Sequence, residues 1–198
     1  MGWSTLNSNT NLELNREDVI PSRHSNPFAT CWTRPGALPF LFAEGLTAEL
    51  LIARLAANRW RGQIIGPHGC GKSTLLATIA PLLRAAKRRI DVVDGFEELS
   101  RWRRWSKRLT CRWWNSGLLV TAHRSVGLPT LMELSPDQEL VRRLVSQLCE
   151  RTATGLSAAD VDASSARHGS NVRETFFELY DRHEQLARAR VNRRRQRA

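Results

Sequence analysis

Gly66-Pro67-His68-Gly69-Cys70-Gly71-Lys72-Ser73-Thr74 decides the fold of this chain. The stretch has the form GxxxxGK[ST], a phosphate-binding loop. Its glycines let successive backbone N–H groups converge on an anion without Cβ interference, and a following helix aims its positive N-terminal end at the same place. The flanks agree with that reading. Gln63-Ile64-Ile65 is a short apolar run suited to a buried strand, and Thr74 to Ala80 continues as an apolar helix, which gives the order strand, loop, helix. A triphosphate fits the geometry: Lys72 reaches the β- and γ-phosphates, the Ser73 hydroxyl completes the coordination of a bridging Mg²⁺, and Thr74 adds an α-phosphate contact.

The 198 residues suffice for one or two small domains with a core of their own. The four cysteines, Cys31, Cys70, Cys111 and Cys149, stand far apart with no CxxC pair and no zinc spacing, which suits reduced thiols in a cytoplasmic protein. Cys70 is a special case: Lys72 and the helix N-terminus beside it could lower its pKa and make it oxidisable, but a passive small residue is the preferred reading. The N-terminal residues lack the blocks of a secretory signal. The most apolar stretch, Ala37 to Ala57, is broken by Pro39, Glu44, Gly45, Glu49 and Arg54, so neither a span nor any other membrane role is expected.

A formal net charge of +11 calls for an anionic partner, nucleic acid being the commonest. Six arginines fall between Arg188 and Arg197, read as a basic disordered tail over 188–198. Residues 1–25 are polar, without helical or strand period, and read as a flexible leader. The proline-punctuated segment from Asn26 to Phe42 suits an extended stretch whose Phe28, Phe40 and Phe42 cover the core or flank a base.

A helix is expected over Thr47 to Asn58, then the loop strand, the loop helix to about Ala86, and a second strand Ile90-Asp91-Val92-Val93-Asp94 that ends in an acid. A helix over Glu97 to about Arg112 and strands at Gly117 to Thr121 and Thr130 to Leu134 follow. From Ser135, read as a cap with Pro136 at the first helical position, the pattern is helical only, with further helices at about 157–168 and 171–187. This divides the chain into a nucleotide-binding core at 26–135 and a helical lid at 136–187. Three sites besides the loop carry chemistry. Asp94 closes an apolar strand downstream of it, with Glu97 and Glu98 shortly after; Val120-Thr121-Ala122-His123-Arg124 ends the third strand; and Gly169-Ser170-Asn171-Val172-Arg173-Glu174 opens the last helix.

Taken in this order, the loop, Asp94, His123 and the Asn-Val-Arg-Glu run resemble the P-loop NTPases, and within them the AAA+ ATPases, over roughly residues 45–187. The resemblance implies an α/β fold with a small parallel sheet flanked by helices and followed by a helical lid. It implies ATP and Mg²⁺ as cofactors and slow Mg²⁺-dependent hydrolysis. Gly66, Pro67, His68, Gly69, Cys70, Gly71, Lys72, Ser73 and Thr74 would hold the nucleotide, and Ser73 and Asp94 the metal. Lys72, Asp94 and Glu97 would act at the γ-phosphate, with His123, or second to it Thr121, as the sensor after the third strand and Arg173 as the sensor on the lid.

Two departures stand out. Gly95 occupies the place of the glutamate that usually follows the metal-organising acid, so Glu97 is preferred as its substitute, with Glu98 close by; both also suit the acidic first turn of a helix. Only about four residues separate the loop helix from the Asp94 strand, where the family places another strand and helix. The absence of an Asn-Lys-x-Asp motif favours adenine over guanine.

Finally, Ser100 to Trp114 interleaves arginines with Trp102, Trp105, Trp113 and Trp114. Trp102, Trp105 and Leu109 recur at helical spacing and are expected to pack on the sheet, leaving a cationic face that, with the basic tail, could touch nucleic acid. A nucleotide-switched nucleic-acid-binding module with vestigial hydrolysis and a small-molecule phosphotransferase stay open as alternatives. The sequence leaves the oligomeric state open.

Overall fold

A computed structural model describes residues 26–150, 152 and 154–196. The leader at 1–25 and the last two residues lie outside them.

Four parallel strands form one sheet in the order β2-β3-β1-β4: β1 is Arg61–Ile65, β2 Ile90–Val93, β3 Gly117–Ala122 and β4 Thr130–Glu133. This is an α/β sheet flanked by helices, of P-loop NTPase type. β3 is buried along its whole length, as a central parallel strand covered on both faces should be. On one face, α2 (Ala48–Ala57) and α3 (Lys72–Ala85) bring Leu51, Leu55, Leu75, Ile79 and Leu83 against Ile64, Leu119 and Leu131. On the other, Phe96 and Cys111 cover Leu118 and Val120. Four residues separate α3 from β2, which forms one edge of the sheet, so the short connection costs the sheet only at its margin.

Gln63 lies in the middle of β1 and is fully buried. Its Nε2 donates to Ser125 Oγ and Thr130 Oγ1, both at 2.9 Å, and its Oε1 accepts from Val126 N at 2.9 Å. A buried amide satisfied in this way pins the turn after β3 to the sheet instead of weakening it.

Beyond β4 the chain is helical: α5 (Gln138–Cys149), α6 (Ala158–His168) and α7 (Val172–Arg195). They share a second core of Val141, Val145, Leu148, Val161, Val172, Phe176 and Leu179. Phe28, just before the short α1 turn (Thr30–Thr33), packs into this helical core, and Asn26 donates to Tyr180 O and Glu184 Oε1. The segment before α2 therefore ties the helices to the sheet. Glu178 on α7 joins α6 to α7 by accepting from Ser164 Oγ (2.9 Å) and Arg167, and it meets His168 Nε2 at 2.8 Å.

Several boundaries differ from the sequence expectations. Asp137, not Ser135, caps α5, its Oδ1 accepting from Leu140 N at 2.8 Å, so Pro136 stays outside the helix. The helix expected over Glu97 to Arg112 is broken. Phe96–Glu98 form a 3₁₀ turn, Leu99 is extended, and Ser100 caps a separate α4 at Arg101–Trp113. The arginine stretch from 188, expected to be irregular, is helical as far as Arg195, because arginine and alanine favour helix and extending an existing helix needs no new nucleus.

The largest correction concerns the tryptophans. Trp102, Trp105 and Leu109 do not pack on the sheet; they are 79%, 59% and 38% exposed. The opposite side of α4 makes the contact. Cys111 is buried against the sheet, Lys107 Nζ meets Asp91 Oδ2 at 2.7 Å, and Arg108 lies over Phe96 while donating to Val126 O.

Candidate functional site

The loop from Gly66 to Gly71 links β1 to α3. Gly69 and Gly71 take positive φ, +69° and +101°, as a loop that turns its N–H groups inward requires. Gly71 is the N-cap of α3, so Lys72 and Ser73 open the helix at its positive end. Lys72 is buried and donates from Nζ to Gly66 O (2.6 Å) and Pro67 O (2.7 Å), curled back across the loop.

The first turn of α3, the residue after β2 and the end of β3 deliver oxygens to one point. Ser73 Oγ donates to Asp94 Oδ2 at 2.7 Å; Thr121 Oγ1, at the end of β3, donates to Asp94 Oδ1 and accepts from Gly95 N at 2.9 Å. Asp94 is thus held from both sides at the mouth of the loop. A hydroxyl and a carboxylate on separate elements are hard oxygen donors, the set that suits Mg²⁺ completed by water and phosphate oxygens. Among the described residues no cluster of three or more His, Cys, Asp or Glu forms a metal cage. The donor set and the glycine cradle fit a Mg²⁺-nucleotide.

Glu97, on the 3₁₀ turn, meets His123 twice: its Oε1 accepts from His123 N at 3.0 Å and pairs with His123 Nδ1. Glu97 Oε2 is buried and, among the described residues, has no hydrogen-bond partner. The His68 ring of the loop lies against the His123 ring, centroids 3.6 Å apart. The structure therefore brings His68, Glu97 and His123 together, a contact that the sequence gives no sign of.

Arg173 arrives from the helical side. Asn171 caps α7 by accepting from Glu174 N at 3.3 Å, and a Cβ built on Gly69 would lie 1.8 Å from Asn171 Oδ1 and 3.1 Å from Arg173 Cβ. The start of α7 thus rests directly on the phosphate loop. Loop, Asp94, Gly95, His123 and Arg173 line one cavity of about 710 Å³, and Leu38, Phe40, Leu140 and Phe176 add apolar surface to it. That volume lies within the roughly 300–1,000 Å³ of small-molecule sites. Phe40 is held there by its backbone N–H, which donates to Thr78 Oγ1 of α3 at 3.3 Å.

Cys70 does not behave as a poised thiolate. Burial pushes its thiol up, and the nearby Lys72 charge only partly opposes this. Its sulfur instead fills the space under Gly66, where a Cβ would meet Sγ at 2.6 Å. Glu98 lines the cavity without the contacts that Glu97 makes.

No protein-family model matches this chain, and no curated protein matches it. Among solved structures, a replication initiator DnaA bound to AMPPCP and single-stranded DNA is similar, with a TM-score of 0.49 and 14% identity. The likeness covers 71% of this chain and 61% of that one, so the chain spans less than two thirds of that protein. So slight a similarity carries no functional weight, and the fold class stands on the parallel sheet and its flanking helices.

Proposed function

We propose that this protein binds ATP with Mg²⁺ in the cavity between the phosphate loop and α7, and hydrolyses it slowly in the manner of an AAA+-like P-loop ATPase. The observation that carries this reading is convergence. A glycine cradle, Ser73, Asp94, His123 and Arg173 come from separate segments and line one cavity, with Thr121 and Glu97 holding Asp94 and His123 from behind.

The backbone N–H groups of Gly69 to Ser73 would bind the phosphates, with Lys72 leaving its carbonyl partners to neutralise the β- and γ-oxygens. Bound between Ser73 and Asp94, Mg²⁺ would neutralise charge developing on the phosphate oxygens. Thr121 holds the Asp94 carboxylate in the orientation this requires. Gly95 offers no carboxylate to the attacking water, and His123 takes that role. With Glu97 accepting from Nδ1–H, the neutral ring keeps its lone pair on Nε2, free to accept the water's proton. Glu97 is then a positioning residue and His123 the base, with Arg173 against the γ-phosphate. The apolar wall at Phe40 and Leu38 would receive the adenine.

The test is ADP release by the intact protein with ATP and Mg²⁺, beside Lys72→Ala and His123→Ala. The reading expects Lys72→Ala to lose both binding and turnover. His123→Ala should keep binding while turnover falls by about 10²–10⁴-fold, the usual contribution of a general base. Turnover that survives Lys72→Ala would sink the proposal. Tight ATP binding by the unaltered protein with no ADP released would favour the nucleotide-switch reading, in which the same cavity binds without hydrolysing.

A further inference from the structure

The helix α4 faces the wrong way for a core element. Trp102, Trp105, Leu109 and Trp113 fall on one arc at about 100° per residue, and that arc lies opposite the buried Cys111. Trp113 is 88% exposed and Trp114, the C-cap, 73%. Exposing this much indole surface along one line has no stability rationale, and such patches mark interaction sites. Cations accompany it. The helix carries Arg101, Arg103, Arg104, Lys107, Arg108 and Arg112, and no Asp or Glu occurs anywhere from Leu99 to Met132.

The arrangement of charge about the stripe identifies the partner. Arg101, Arg108 and Arg112 run down one flank, next to Trp105, whereas the other flank carries Ser106 and Thr110 before Arg103. Indoles and cations therefore form two parallel tracks. At a rise of about 1.5 Å per residue, each track spans roughly 16 Å. The Trp102 and Trp105 rings stand edge to face, 6.3 Å apart, and so present separate surfaces.

We propose that this face of α4 binds single-stranded nucleic acid, unpaired bases stacking on Trp102, Trp105 and Trp113 while Arg101 and Arg112 neutralise the phosphates beside them. Single-strand binders join these two elements, a cationic track and aromatic platforms. A bilayer would be served by cations on both flanks of the stripe, and a duplex offers no free base faces. No α4 residue lines the cavity at the phosphate loop, so this surface stands or falls separately from the ATP reading.

The test measures fluorescence anisotropy of labelled oligothymidylate and oligouridylate with the full chain, without nucleotide. Binding by the unaltered protein should weaken at least about tenfold in Trp102→Ala/Trp113→Ala, given the usual worth of base–aromatic stacking. Far-UV circular dichroism of this variant should be unchanged, because both side chains are exposed. Trp102→Phe/Trp113→Phe should recover most of the affinity. Arg101→Ser/Arg112→Ser should flatten the slope of log affinity against log salt by about 1.4, two phosphates at about 0.7 each on a single strand. The proposal is overturned if the alanine pair binds as tightly as the unaltered protein, if duplex of the same length competes equally, or if phosphatidylserine vesicles are bound and the oligonucleotides are not.

Discussion

Gly69→Ala tests how closely α7 and the phosphate loop are joined. Gly69 sits at φ +69°, where an L side chain costs about 1–2 kcal/mol. The new Cβ would also fall 1.8 Å from Asn171 Oδ1, so the Asn171 side chain must swing away and release the Glu174 N–H that it caps. Losing an N-cap of this kind costs about 1 kcal/mol. Together the two effects remove about 2–3 kcal/mol. At roughly 2–4 °C per kcal/mol for a chain of this size, the thermal midpoint should fall by about 4–12 °C. A double-mutant cycle with Asn171→Ala, read by urea unfolding, isolates the contact. Asn171→Ala already removes the cap, so Gly69→Ala on that background should cost only the backbone strain, and the pair should be sub-additive by about 1 kcal/mol. Strict additivity, or a Gly69→Ala protein as stable as the parent, would refute the claim that the start of α7 presses on the loop.

Other outcomes follow from the same geometry. Gly62→Ala in β1 would bring a Cβ within 2.6 Å of Leu131 Cγ, and overpacking of a strand pair in the core should cost about 1–3 kcal/mol by urea unfolding. Hydrogen bonds from Arg167, above all, hold the Glu178 carboxyl below its ordinary value of 4.5 despite the opposing effect of burial. The stability this contributes is fully present above 4.5 and is lost as pH falls through the lower folded value, so Glu178→Gln should flatten stability against pH in that acid window and leave little pH dependence there to lose. Alkylation by iodoacetamide at mildly alkaline pH, followed by peptide mass mapping, should label exposed Cys31 first and Cys70 much more slowly, since burial both shields the Cys70 thiol and raises its pKa.

The glycine-rich turn, its strand and its helix were legible because they are encoded locally: glycine spacing, an apolar run before it and a helical period after it occupy sixteen consecutive residues from Arg61 to Leu76. The placement of Asp94 directly after a second apolar strand, and of the Asn-Val-Arg-Glu run at the opening of α7, was legible in the same way. Strand pairing was not. No local signal sets β3 between β1 and β2, and only that order brings Thr121 to Asp94 and His123 to Glu97. His68 against His123 and the three hydrogen bonds of Gln63 likewise join residues far apart in the chain.

Helical period shows that Trp102, Trp105 and Leu109 share a face, but a stripe rotated toward solvent has the same period as one rotated inward. Transfer of indole from water favours the inward choice in isolation. Here the buried Cys111, the Lys107–Asp91 pair and the hold of Arg108 on Phe96 and Val126 fix the rotation the other way. The sequence by itself determined the order of most strands and helices and the glycine-rich turn between β1 and α3, because those depend on neighbours within a few residues. The tertiary structure alone decided which faces meet, because that depends on contacts closed over distances the chain's local pattern does not record.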